Sequence, residues 1–133
     1  MLKDYFKIKY LENKLISKND RFKLSDKESR DILKNFKNSN LLIIGAAGSI
    51  GNHFVLTLLN FGLVENLYLL DKDENQLTEL NRSINTKNLN KKTKINYLSA
   101  DVITFNFKYF LKNNEINHIL NFSALKHVRS EEN

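Results

Sequence analysis

All four glycines of the chain lie between positions 45 and 62, and three of them, Gly45, Gly48 and Gly51, recur at three-residue intervals. Where such a triplet leaves a buried strand and opens a helix, it has a physical purpose. The chain can turn tightly, an anion can approach the main chain, and the helix can start close to the sheet. Free N–H groups and the positive end of the helix dipole then face a pyrophosphate. Asp71 follows Gly51 by twenty residues, the separation at which a strand-end carboxylate accepts the hydroxyls of an adenosine ribose. A carboxylate there repels a 2′-phosphate and favours NAD, whereas the adjacent Lys72 is able to neutralise one and admit NADP. Asp101 and Val102 offer a second carboxylate and a backbone edge for the adenine ring, with a helix-cap or turn aspartate as the alternative reading. A purely structural glycine turn beside an exposed Asp71 is the bland alternative for the whole set.

Holding these groups requires a strand before the turn and a helix after it, and the hydropathy pattern supplies both. Leu41-Leu42-Ile43-Ile44 is an unbroken apolar run, and Phe54, Val55, Leu58 and Leu59 recur at helical spacing. A second strand is predicted over Asn66–Leu70, ending at Asp71, followed by a helix with Leu77, Leu80 and Ile84 on its buried face. A third strand over Ile95–Leu98, ending near Asp101, a helix over Phe105–Asn113 packing through Phe105, Tyr109 and Phe110, and a fourth strand over His118–Phe122 complete the series. Upstream, Ser25 and Glu28 form a capping-box pair that opens a helix over Asp26–Lys37. Strands alternating with helices imply a parallel sheet covered on both faces. The predicted fold class is therefore α/β: the first half, about four strands, of a Rossmann-like doubly wound parallel sheet, preceded by a short helical N-terminal arm.

Composition narrows the function classes. The chain has 133 residues and no Cys, Pro or Trp, so disulfide frameworks, zinc ribbons, thiol nucleophiles and PxxP ligands are excluded. The longest uncharged run, Asn38–Val64, is interrupted by Gly45, Gly48 and Gly51 and by Asn52, His53 and Asn60, which does not describe a lipid-spanning helix. Met1–Tyr10 alternates charged and apolar residues and lacks the apolar core of a signal peptide, so a cytoplasmic protein is expected. The net charge of +6 is uneven: residues 1–40 hold eleven basic and six acidic side chains, against ten and nine in the remainder. Lys87, Lys91, Lys92 and Lys94 are the only basic cluster in that remainder and read as a solvated loop, so nucleic acid is not an expected partner. No cluster of His and carboxylates has metal-ligand spacing.

Taken together, Gly45-x-x-Gly48-x-x-Gly51, Asp71, Asp101-Val102 and Asn121-Phe122-Ser123-Ala124-Leu125-Lys126-His127-Val128 resemble the extended short-chain dehydrogenase/reductase superfamily. Within it, Gly45-Ala46-Ala47-Gly48-Ser49-Ile50-Gly51, Leu70-Asp71-x-x-Glu74 and Ala124–Val128 resemble the CapD-like polysaccharide-biosynthesis proteins, which are nucleotide-sugar 4,6-dehydratases and their epimerase relatives. The resemblance covers Asn40–Asn133. Ile44 departs from the Thr common before the first glycine, and Arg129 stands where Pro is usual. The resemblance implies chemistry on a UDP-linked N-acetyl sugar such as UDP-N-acetylglucosamine. NAD(P)⁺ takes hydride from C4, the resulting ketone acidifies the C5 proton, water leaves from C6, and the hydride returns there. It also implies positions: Ala47, Gly48, Ser49 and Ile50 at the pyrophosphate, Lys72 and Asp73 by the adenosine ribose, and Asp101 with Val102 at the adenine. Ser123 and Ala124 would lie under the nicotinamide ribose, and Lys126 close to cofactor and substrate.

The superfamily's catalytic Tyr-x-x-x-Lys belongs after the fifth strand. Matches at Tyr5…Lys9 and Tyr10…Lys14 precede the first strand and are read as coincidences. The expectation is thus a basic helical arm over residues 1–40 and an NAD(P)-binding domain over residues 41–133, truncated before the catalytic segment, with no catalytic residue of its own beyond Lys126 as a contact. A free-standing nucleotide-binding module, or another NAD-dependent sugar epimerase or reductase, is the alternative, and a homo-oligomer is a further expectation.

Overall fold

The computed structural model of the chain describes residues 25–89 and 92–124. Eight elements follow in order: α1 (Asp26–Phe36), β1 (Asn40–Ile44), α2 (Ser49–Phe61), β2 (Asn66–Asp71), α3 (Glu74–Thr86), β3 (Lys94–Ser99), α4 (Phe107–Asn113) and β4 (His118–Asn121). The chain divides into two units between Ile32 and Leu33. In the first, the capping box forms as its spacing predicts: the Ser25 N–H and hydroxyl donate to Glu28 at 2.7 Å each, and the Glu28 N–H donates to Ser25 Oγ at 3.2 Å.

The second unit is a parallel sheet of order β3-β2-β1-β4. Leu41 pairs with Leu67 on one side and His118 on the other, and the register runs without a bulge to Ile44 opposite Leu70 and Asn121. The chain steps outward from β1 to β2 to β3, then returns past β1 to lay down β4, so the direction of winding reverses at β1. Such a switch point opens a crevice at the carboxyl ends of the strands.

Burial on both faces explains the unbroken apolar run of β1. Leu41 and Ile43 face the side covered by α2 and α3, where Val55, Leu59, Leu77, Leu80 and Ile84 complete the larger core. Leu42 and Ile44 face the other side with Leu70, under Tyr68, Leu98, Phe105 and Phe110. Each fully buried Leu or Ile is worth about 1.5–3 kcal/mol relative to exposure, so β1, whose Leu41, Leu42 and Ile43 are all fully buried, anchors the site that follows it. At the opposite end of the sheet the Asn40 and Asn117 main chains and amides interlock, with Asn40 N–H donating to Asn117 Oδ1 at 2.7 Å and Asn117 N–H to the Asn40 carbonyl at 2.9 Å.

Strands β1 and β3 reach one residue beyond the sequence expectation, to Asn40 and to Lys94 and Ser99, and three other boundaries differ as well. Helix α1 stops at Phe36 because Asn38 turns into the left-handed region at φ 56° and donates its N–H to the Leu63 carbonyl. Strand β4 ends at Asn121, one residue before Phe122. Helix α4 starts at Phe107, two residues later than predicted, since Asn106 accepts the Tyr109 N–H as its cap. That register turns Tyr109 outward to 69% exposure, correcting its assignment to the core. Phe105 still packs, at 4.9 Å from Phe107 and 5.3 Å from Phe110, but from the loop.

Candidate functional site

Ile44 ends β1 and the glycine turn leaves directly from it. The Gly45 and Ala46 N–H groups both donate to the Leu70 carbonyl, at 2.8 and 3.2 Å, which carries the β1–β2 pairing into the turn. Gly45 has φ 72°, and a Cβ there would meet Ser123 N at 2.6 Å and the Phe122 carbonyl carbon at 2.9 Å. The segment leaving β4 therefore lies against the turn, fastened from the helix side by Phe54 and Phe122, whose rings are 5.2 Å apart. Gly51 is needed for a second contact: a Cβ would sit 2.1 Å from the Gly45 carbonyl oxygen.

Gly48 is different. Its backbone, at φ −63° and ψ 166°, suits any residue, and the nearest atom to an added Cβ is the Gly45 oxygen at 3.5 Å, ordinary contact. Neither steric contact nor backbone angle requires glycine at this position. Gly48 is also the N-cap of α2, with no side-chain cap bond and no acidic residue in the first turn. The neighbouring helices are closed differently, α3 by Asp73 and α4 by Asn106. The first N–H groups of a helix have no intrahelical acceptor, and here they lie beside exposed Ser49 and Ile50, the latter 70% exposed.

Asp71 ends β2 and is half-buried. Its Oδ2 accepts the Ala47 N–H at 2.9 Å and its Oδ1 the Asp73 N–H at 3.1 Å, so one carboxylate joins the glycine turn to the β2–α3 loop. Lys72 between them is exposed. Asp73 caps α3: its Oδ1 accepts the Gln76 N–H at 3.0 Å and its Oδ2 the Gln76 amide at 2.9 Å. The Gln76 backbone bond above all, then the Gln76 side chain, with Lys72 adding a smaller pull, holds the Asp73 carboxyl below its ordinary value. A lowered folded value means that this cap's contribution is complete above the ordinary carboxylate range and is lost as pH falls through the lowered value. The thermal midpoints of wild type and Asp73→Ala are therefore expected to differ most at neutral pH and to converge in acid. A gap that stays constant from pH 7 to pH 3 would contradict this role.

Asp101 lies two residues beyond β3. Its Oδ1 accepts the Ile103 N–H at 2.8 Å, and its carbonyl accepts from Thr104 and Phe105. The residue thus forms the turn that its alternative reading describes, while its carboxylate remains exposed at the carboxyl edge of the sheet. Val102 is half-buried in the smaller core. Beyond β4, Ser123 donates from both N–H and Oγ to Asn121 Oδ1, at 2.9 and 2.6 Å, and Ala124 is exposed. The structure thus brings the glycine turn, Asp71 and Ser123 to one end of β1. Lys126, with the rest of Leu125–Val128, lies outside the described residues, as do Tyr5…Lys9, Tyr10…Lys14 and Lys91.

Two features escaped the sequence reading. Asn121 fixes Ser123, and its signal was an Asx-turn pattern of Asn followed two residues later by Ser. A further Tyr-x-x-x-Lys, Tyr68…Lys72, starts in β2 and ends one residue past it; residues four apart on extended chain are separated by about 13 Å instead of one helical turn. The Tyr68 ring packs edge-on to Phe110 at 5.3 Å. Among the described residues no cluster of three or more His, Asp or Glu forms a metal site, and no helix is long and apolar enough to cross a membrane.

A glycine turn at the switch point of a parallel sheet, with helices on both faces, defines a Rossmann-like α/β protein. The fold is shared with Pen from Bacillus thuringiensis, at a TM-score of 0.56 and 28% identity over 70% of this chain and 28% of that one. UDP-glucuronic acid 4-epimerase from Bacillus cereus, solved with UDP-glucuronic acid and NAD, matches at a TM-score of 0.49 and 23% identity, over 68% of this chain and 28% of its own. The chain thus spans 28% of the length of each of these structures. No curated protein matches it. Residues 41–133 match the family described as polysaccharide biosynthesis protein, and the chain belongs to that family.

Proposed function

We propose that residues 41–133 form the nicotinamide-dinucleotide site of an enzyme that modifies a nucleotide-linked sugar, with NAD preferred over NADP. Gly48 carries this reading. A glycine that neither steric contact nor backbone angle requires stands at the uncapped start of α2, and a phosphate approaching the main chain does require it. Gly48, Ser49 and Ile50 would hold the pyrophosphate through their N–H groups, since the Ala47 N–H is already bonded to Asp71. Asp71 retains lone pairs for ribose hydroxyls, and its charge disfavours a 2′-phosphate. Asp101 and Val102 would border the adenine, with Lys72 and Asp73 by the adenosine ribose. Ser123 and Ala124 would support the nicotinamide ribose, and Lys126 would reach cofactor and substrate.

Membership of the polysaccharide-biosynthesis family, together with the resemblance of Ala124–Val128 to the CapD-like proteins, supports UDP-N-acetylglucosamine as substrate and 4,6-dehydration as the reaction. Bound NAD(P)⁺ would supply the hydride acceptor for sugar C4 and return the hydride at C6. The part of residues 41–133 is to bind and orient, and proton transfer belongs to a Tyr-x-x-x-Lys helix that the described residues do not contain. The division into a basic arm over residues 1–40 and a cofactor-binding half over residues 41–133 is part of this proposal, as is a cytoplasmic location.

Titration of the purified chain with NAD and NADP tests the cofactor assignment. NAD is expected to bind about tenfold more tightly, a difference of about 1.4 kcal/mol. Equal affinities, or a preference for NADP, would overturn the assignment to NAD. The chain alone is expected to form no 4-keto-6-deoxy sugar from UDP-N-acetylglucosamine, and measurable product would contradict its role as a binding half.

A further inference from the structure

We propose that Asp71 is a positioning residue for the glycine turn: its carboxylate orients the main chain at Ala47, and through it the N–H groups of Gly48 and Ser49, towards an anionic phosphate. This inference rests on the dinucleotide reading, but it gives Asp71 a task separate from recognising ribose. The observation behind it is the bond from the Ala47 N–H to Asp71 Oδ2 at 2.9 Å, across twenty-four positions of sequence. The carboxylate is held in turn by the Asp73 N–H on Oδ1 at 3.1 Å. Its own backbone is fixed in the sheet, paired with Ser99 and accepting the Ala100 N–H at 3.0 Å. A rigid acceptor thus grips the residue immediately before Gly48, and Ala47 is only 5% exposed.

Hydrogen bonds to a carboxylate are about twice as strong as neutral ones, and leaving a buried N–H without its acceptor costs more than the bond contributes. Asn at position 71 has one oxygen and one NH₂ group. In the bridging pose one of the two N–H donors, Ala47 or Asp73, would then face another donor. Coulomb's law alone predicts the opposite outcome from the positioning argument, because removing a negative charge near a phosphate strengthens anion binding. The sign of the effect is therefore diagnostic.

The test titrates the 133-residue chain, wild type and Asp71→Asn, with ADP, 2′,3′-dideoxy-ADP and adenosine. Asp71→Asn is expected to weaken dideoxy-ADP by about tenfold, ADP by more because it also loses the ribose contact, and adenosine, which has no phosphate, by less than ADP. An unchanged affinity for dideoxy-ADP would confine Asp71 to the ribose and overturn the inference, while leaving the dinucleotide reading intact. A folded wild-type chain that binds none of the three would overturn both. Hydrogen exchange on the wild-type chain provides an arm that does not depend on the variant folding. The Ala47 amide is expected to exchange at least about tenfold more slowly than that of Ser49, whose N–H has no such acceptor. Equal exchange at the two amides would overturn the positioning role.

Discussion

Gly51→Ala is expected to lower the stability of the chain by about 3 kcal/mol or more, a large share of the roughly 5–15 kcal/mol typical of a domain. The added Cβ would lie 2.1 Å from the Gly45 carbonyl oxygen and 3.0 Å from both the Gly45 carbonyl carbon and Ala46 Cα. These are backbone atoms with little freedom to yield. The Gly45 N–H is bonded to Leu70, and its α-carbon is packed against the backbone of Phe122 and Ser123. Relief has to come from the helix, yet α2 buries Val55, Leu58 and Leu59 in the larger core. Either the turn is distorted or the helix lifts from the sheet. Denaturant midpoints of wild type and variant check this, and a loss below about 1 kcal/mol would show that the close approach of turn and helix is less exacting than these contacts imply.

Gly48→Ala is expected to behave in the opposite manner. A methyl group at Gly48 meets nothing nearer than the Gly45 oxygen at 3.5 Å, and the backbone already has angles that alanine adopts. Alanine is a poorer N-cap than glycine but loses less freedom on folding, so the two effects oppose and stability changes by no more than about 1 kcal/mol. Binding is another matter. The methyl group would stand between the main chain and any phosphate on the first turn of α2, and a loss of about 1.4–2.8 kcal/mol in NAD binding, ten- to hundredfold, is expected. Calorimetric titration and thermal unfolding of the same sample separate the two readouts. Unchanged NAD affinity in the stable variant would remove the reason for glycine at this position, and with it the main support for the proposed function.

These two glycines mark where sequence legibility ends. Gly45, Gly48 and Gly51 stand at equal intervals, and nothing in the spacing distinguishes two that the packing demands from one that it does not. The strands were legible because a strand covered on both faces needs a continuous apolar run, as Leu41–Ile44 shows. The buried face of α3 was legible because Leu77, Leu80 and Ile84 keep helical period. The start of α4 was not, because Asp101 and Asn106 bond their local backbone and delay the helix, which in turn sends Tyr109 to solvent. The Asp71 carboxylate was visible as a strand-end acid. Its bond to Ala47 depends on where β2 and the turn meet in space, which a one-dimensional pattern does not encode. Asn121 was overlooked because an Asx turn after a short strand looks like any polar exit from a sheet.

In the proposed function, the first turn of α2 holds the phosphates of a nicotinamide dinucleotide. Backbone amide resonances of the isotopically labelled chain, followed as NAD is added, test it residue by residue. The largest shifts are expected at Gly48, Ser49 and Ile50, with smaller ones at Asp71, Asp101 and Ser123 around the carboxyl edge of the sheet. A folded chain whose α2 amides do not move at saturating NAD, or whose shifts fall at the opposite end of the sheet around Asn40 and Asn117, would overturn the assignment of this turn to the phosphates.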